Sequence, residues 1–454
     1  MSTGKWAGRR GNLPTTMSVQ APGTLIDDRP AEGVFRVHRE AFRNPDLFAR
    51  EMAAFFEGGW VFVGHASQVP NRHDFLTTRI GRHGLVLMRD AEGRLHCVHN
   101  SCRHKGATVC HQRRGNRRVH VCKYHGWSYD SSGCNVAIKS KAAGDYTPAF
   151  DDDSHHLQPV ARFAEYRGFA FASLAADVPP LEEHLGDTRV FIDMLADQSE
   201  AGLELVPGTV TYTYQGNWKL QLENSIDAYH FDSVHPSYLR LLDRRAAMPE
   251  RSDVEKAIWQ AKKKQAETMG SFGLRNGHAL VWTTSPEENH PLHATLPDLK
   301  ARLGETRARW MLRTRQLNVF PNLQLASNAA LQMRVIRPLA VDRTEITSYC
   351  LAPVGESPER RRQRLRQYED FFNPSGLATP DDTVTFEDCQ RGFESGEIEW
   401  QQGSARGIAR VIEGADAHAA ELGIDPLTSV SGAFEMGDET VFRALYRHWR
   451  SRLA

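Results

Sequence analysis

The spacing Cys102-x-His104-x17-Cys122-x2-His125 constrains this chain more than any other feature. Two short pairs, each mixing one cysteine with one histidine, make sense if two loop tips meet around a metal centre. One thiolate and one imidazole from each tip suit a [2Fe–2S] cluster, with the cysteines on one iron and the histidines on the other. A Cys2His2 zinc site is the rival. Zinc fingers pair like ligands within each half, whereas here each half is mixed. Gly106 and the run Gly126-Trp127-Ser128-Tyr129 suit tight loops over a cluster. His99, His111 and His120 fall off the pattern, and Cys97, Cys110 and Cys134 have no ligand role in it.

The texture around the motif is β-like. Short runs such as WVFVGHASQV, DFLTTRI, GLVLMRD and LHCVHN are split by Gly, Pro, Asn and Asp, and DAEGR reads as a hairpin turn. Residues 36–58 instead carry helical spacing, with Phe42, Leu47, Met52, Phe55 and Phe56 on one side. Residues 1–35 lack periodicity and are expected to form a loose arm. The rest is mixed: VTYTYQGNWKL alternates as a strand, SPERRRQRLRQYEDFF reads as a surface helix, and VIRPLAVDRTEITSYCLAP as a hairpin. The expectation is an α+β protein with an arm at 1–35, an all-β metal domain at 36–160 and an antiparallel-sheet domain at 161–454.

A second constellation lies in that last part. His230 and His235 are five residues apart, about 140° around a straight helix and too wide for one metal. Pro236 follows directly, and the residue before a proline is pushed out of helical geometry. His235 can therefore turn back toward His230. Two histidines and one carboxylate form the facial triad of a non-haem Fe(II) oxygenase. Asp227, Asp232 and Glu223 are local candidates for the carboxylate; Asp381 and Asp382 are distant ones. Thr379 with Asp382 also reads as a helix-capping pair, so spacing alone leaves ligand and cap open.

Lys plus Arg and Asp plus Glu both number 56, which argues against a nucleic-acid binder. No apolar run is long enough for a membrane span, and the first residues lack a signal peptide's apolar stretch. With seven cysteines, an odd number, free thiols and metal ligands are expected in a cytoplasmic protein, not a disulfide framework.

Over residues 35–450 the sequence resembles the large subunits of Rieske aromatic-ring-hydroxylating dioxygenases, most closely the benzoate/anthranilate type. FEGGWVFVGHASQVP, the Cys/His motif, YTYQGNWKLQLENSIDAYHFDSVH and RQYEDFFNPSGLATPDDTVTFEDCQ carry the resemblance. It implies a Rieske domain followed by a helix-grip catalytic domain. Cys102, His104, Cys122 and His125 would ligate the [2Fe–2S] cluster, and His230, His235 and Asp382 would hold mononuclear Fe(II). Asp227 would bridge His230 and His125 of the partner subunit. Asn224 would lie near the iron, and Phe372 would line the pocket. The implied activity adds both atoms of O2 to an aromatic acid, giving a cis-dihydrodiol. Electrons would come from NAD(P)H through a separate reductase, and a small beta subunit would complete an α3β3 assembly. Ser225-Ile226, Phe231-Asp232-Ser233 and residues 237–270 depart from the benzoate-type pattern. A monooxygenase acting on an arylamine or salicylate-like ring is the alternative among enzymes; a zinc-stabilised binding protein is the alternative outside them.

Overall fold

The computed structural model describes residues 22–248, 268–284, 290, 292–328 and 330–454. Residues 1–21 of the arm expected at 1–35, and residues 249–267 of the divergent stretch 237–270, lie outside the described residues.

Two small sheets carry the cluster motif. In one, Leu95–His99, His83–Arg89, Asp74–Ile80 and Arg114–Asn116 lie side by side; in the other, Asn135–Ala137, Ser128–Asp130 and Val119–Val121. The alternation in these strands buries Phe75, Val86, Met88 and Val98 beneath the loops that bear Cys102 and Cys122. A third sheet pairs Val61–His65 with Phe169–Ser173 and Arg162–Tyr166, so it spans the expected boundary at 160/161.

The catalytic half is built on an antiparallel sheet of ten strands among the described residues. At one end Arg343–Pro353 pairs with both Leu203–Leu205 and Val210–Tyr214. From there the order runs through Leu331–Ala340, Leu323–Ser327, Thr314–Val319, Ala279–Thr283, Thr268–Gly273 and Thr428–Ala433 to Ile412–Glu413. The helix Trp218–Ser225 lies against this sheet, with Gln324 and Asn318 donating to the carbonyls of Gln221 and Leu222. Asn217 starts that helix: its side chain accepts from Lys219 N and donates to the carbonyls of Phe42 and Val341. The helix Thr379–Phe393 closes over it.

Two expectations at the N-terminus change. Residues 22–35 are not a loose arm. Ile26–Arg29 and Val34–His38 form a hairpin that Trp400–Gln401 extends. Leu25, Ile26, Phe35 and Val37 are buried, and Asp28 pairs with Arg443 and Arg447 of the C-terminal helix Phe442–Leu453. Four apolar residues in a segment this short give no period to read, yet they suffice to dock it. The helix expected over 36–58 begins later and breaks. Asn44 caps a new start at Pro45 with bonds to Asp46 N and Leu47 N, as proline at a first helical position favours.

Glu51 sits at the junction of these parts. It is fully buried, and its carboxylate accepts from Lys219 Nζ at 2.6 Å, Trp218 Nε1 at 2.8 Å and Trp449 Nε1 at 2.7 Å. Burial lowers the Lys219 pKa, and the Glu51 charge counteracts that shift.

Candidate metal centres and active site

The two cysteine loops are near copies of each other. Cys102 N donates to Ala107 O at 2.8 Å, and Gly106 N returns to Cys102 O at 2.8 Å. In the second loop Cys122 N donates to Trp127 O at 2.8 Å, and Gly126 N to Cys122 O at 2.9 Å. Both glycines have positive φ, 76° and 74°, a conformation that costs other residues energy. Both thiols are buried. The His104 and His125 rings approach to 4.4 Å between centroids, and each Nδ1 is buried without a hydrogen-bond partner. Trp127 stacks on His104 at 5.0 Å. The Tyr129 hydroxyl lies 3.1 Å from Cys102 Sγ and accepts from Arg103 N.

Two orphaned imidazole nitrogens beside two buried thiols fit a metal group. No three of the four donor atoms lie within 4.8 Å of one another. That is too spread for one tetrahedral zinc with bonds of about 2.0–2.3 Å, and it suits two irons. Cys110 Sγ lies 3.1 Å from His120 Nδ1, so these two off-pattern residues pair with each other.

The second centre forms where the chain breaks its helix. Trp218–Ser225 ends, one turn covers Phe231–Val234, and His235 has the non-helical angles φ −109°, ψ 35° before Pro236 opens the next helix. His235 Nε2 comes within 3.2 Å of Asp382 Oδ1, and His230 Nε2 within 3.6 Å of the same oxygen. Among the described residues these are the only three possible metal ligands to converge within 4.8 Å. Asn224 Nδ2 reaches both His230 Nε2, at 3.2 Å, and Asp382 Oδ1, at 3.1 Å. Asp232 and Glu223 stay outside this convergence; Glu223 is bonded to the Tyr446 hydroxyl.

The capping alternative for Asp382 is not what the structure has. Ala378, not Thr379, precedes the helix, with no side-chain cap. The Thr379 hydroxyl is buried and donates to Phe372 O at 2.9 Å. Asp382 is therefore left with its carboxylate facing the histidines.

A carboxylate backs each histidine. Asp227 Oδ2 lies 3.1 Å from His230 Nδ1, off the line of a hydrogen bond, while its Oδ1 accepts from Tyr229 N at 2.6 Å. Asp381 Oδ2 is 3.8 Å from His235 Nδ1 and accepts from Ser237. Carboxylates behind metal-binding histidines orient the rings. Sequence reasoning left Asp381 without this place, although its position beside Asp382 at the helix start was the available signal. Phe372 is buried near the same helix.

Comparison with known proteins places this arrangement. A family model of the Rieske [2Fe-2S] domain matches residues 59–151. A model of the ring hydroxylating alpha subunit, catalytic domain, matches residues 204–454, more than half the chain. The chain belongs to the ring-hydroxylating alpha subunits. It is 42% identical to the toluate 1,2-dioxygenase subunit alpha of Pseudomonas putida, over 95% of this chain and 93% of the relative. It is 41% identical to the anthranilate 1,2-dioxygenase large subunit of Acinetobacter baylyi, over 88% of this chain and 86% of the relative. A solved naphthalene 1,2-dioxygenase from Rhodococcus sp. shares the fold, with a TM-score of 0.77 at 24% identity, over 92% of this chain and 94% of that one. This alpha subunit is thus a Rieske-type dioxygenase component with a [2Fe–2S] domain and a catalytic domain of the mononuclear-iron kind. It is the large subunit of a multi-component dioxygenase with reductase partners. No helix among the described residues is long and apolar enough to cross a membrane.

Proposed function

We propose that this subunit adds both atoms of dioxygen to the ring of a benzoate-like aromatic carboxylate, giving a cis-dihydrodiol. The observation that carries the reading is the convergence of His230, His235 and Asp382 on one point, in a chain over 40% identical to the toluate and anthranilate oxygenases. Cys102, His104, Cys122 and His125 would hold the cluster; His230, His235 and Asp382 would hold the iron. When bound, the cluster supplies electrons, and Fe(II), held by three protein ligands, keeps positions for dioxygen.

The chain's own residues do the rest. Asp227 and Asp381 stand on the Nδ1 sides of the two histidines, at 3.1 Å and 3.8 Å, where their charge favours rings whose Nε2 would face the metal. Asn224 holds the Oδ1 of Asp382 and limits how far that carboxylate can swing. Pro236 and the buried Thr379 fix the two chain segments that meet there, and the buried setting of His235 excludes water.

Asp227 is the link to a partner subunit's cluster loop. Tyr229 beside it and Tyr124 beside His125 are 52% and 63% exposed, as expected of aromatic residues that an assembly covers. An α3β3 arrangement with a small beta subunit supplies that contact. The cluster unit is taken as about residues 59–160, with 22–58 packed onto the catalytic half. A cytoplasmic setting fits free cysteines.

The test is turnover with an NAD(P)H-driven reductase on benzoate, anthranilate, salicylate and aniline, under labelled dioxygen. Two labelled oxygens in a diol or catechol from an aromatic acid are expected. One labelled oxygen, or turnover confined to aniline, would overturn the reading.

A further inference from the structure

Arg334 lies in the middle of the strand Leu331–Ala340. Its ladder partners are Gln324 on one side and Ser348 on the other. Residues paired across a ladder share a face of the sheet, and Gln324 donates to Gln221 O on the helix Trp218–Ser225. Arg334 therefore points to the helix-covered face, the side that carries the candidate iron site. It is more than nine-tenths buried.

Its surroundings do not complete its charge. Among the described residues its one hydrogen bond runs from Nη2 to Thr379 Oγ1, at 2.9 Å. Nε is buried with no partner. No carboxylate pairs with it among the described residues; Asp382, the acid on the adjacent helix turn, is turned to His230 and His235 instead. The Phe372 ring lies 5.9 Å from the guanidinium. On the same face the Tyr212 hydroxyl is also buried and unpartnered, close enough to feel the charges of both Arg334 and Asp382. A buried guanidinium with donors unused is a costly element, and an anion is what satisfies it. A planar fork of N–H donors matches a carboxylate.

We propose that Arg334 is the anchor for the substrate's carboxylate, with the Tyr212 hydroxyl as a second donor. The inference rests on the aromatic-acid reading above and assigns the residue that selects acids. Thr379, bonded to Arg334, and Asp382 are three residues apart on one helix, a separation of about 5–6 Å between Cβ atoms. One aromatic ring covers that reach. A carboxylate seated on Arg334 leaves the ring carbons next to it facing the histidines, which places the reacting edge as well as the charge.

The experiment measures binding of benzoate and of benzamide, its uncharged near-isostere, by calorimetry. It uses the assembled, metal-loaded oxygenase as wild type, R334Q and Y212F, with iron content measured alongside. Wild type is expected to prefer benzoate at least tenfold. R334Q is expected to weaken benzoate by about 30-fold or more, the range for losing one partner of a buried charged pair, and to leave benzamide within about threefold. Y212F, which keeps the ring, is expected to weaken benzoate by about three- to tenfold with benzamide unmoved, and it carries the test should R334Q not fold. The proposal is overturned by a wild type without acid preference, by variants that keep that preference, or by benzoate and benzamide weakening together. A wild type that prefers benzoate yet yields no doubly labelled product would refute the proposed reaction while leaving Arg334 in place.

Discussion

Replacing Glu51 with glutamine changes one oxygen to an amide nitrogen and leaves the side-chain volume almost unchanged, so its effect is electrostatic, not one of packing. Glu51 takes three donors: Lys219 Nζ, Trp218 Nε1 and Trp449 Nε1. Lys219 is fully buried, and removing the partner of a buried charge costs about 3–5 kcal/mol. The amide also turns a donor toward one indole N–H, at about 1–3 kcal/mol. These costs overlap, and a net loss of about 4 kcal/mol is expected. Specific unfolding entropies of about 2 cal/mol/K per residue convert that into a drop in melting temperature of about 4 °C for a chain of this length. The second arm is E51Q/K219M. With the stranded ammonium gone, most of the loss should return, to within about 2 °C of wild type. Thermal melting by circular dichroism of wild type, both single variants and the double variant closes the cycle. If E51Q melts within 1 °C of wild type, or the double variant melts no higher than E51Q, the charge pairing does not hold this junction together.

Further outcomes follow from the two metal sites and one buried acid. D382A should lose mononuclear iron while keeping the red-brown colour of the cluster, and D381N should retain both; metal analysis with visible spectra decides. D227N should keep both metals and lose about 10- to 100-fold in turnover, in line with the loss of residues that orient metal ligands; unchanged turnover removes Asp227 from the reaction. Burial raises the pKa of Glu223 to about 7, with the Tyr446 hydroxyl bond opposing the shift. A raised carboxyl contributes stability that is full below its ordinary value near 4.5 and lost as pH rises through about 7. E223Q should therefore match wild type at pH 5 and melt a few degrees higher at pH 8, and equal melting at both values would contradict the shift.

Much of the chemistry could be read from the chain because it is local in sequence. Cys102 to His104 and Cys122 to His125 each fall within one loop, and their spacing carries the geometry. His235 before Pro236 is equally local, and the structure has the break that proline predicts. What sequence alone left open depends on distant contacts. Asp382 against a capping role was decided by the Thr379 bond to Phe372 O, which no spacing rule contains. Arg334 is one arginine among many until the strand register gives it a face and a lack of partners. The 22–35 hairpin was missed because its stability comes from a helix that starts at residue 442.

The Glu51 junction also bears on the order in which the protein is made. The cluster loops and the sheets beneath them close within residues 74–137, so the four cluster ligands and the strands that carry them are made well before the catalytic sheet. The helix that positions Asn224 is in a different situation. Its Lys219 shares Glu51 with Trp449, four residues from the end of the helix Phe442–Leu453. The cluster loops are thus complete well before the helix Phe442–Leu453, on which the support of the iron pocket depends, has been made. Domains that fold as they leave the ribosome do so N-terminal first, and in this chain that order completes the cluster site before the iron site.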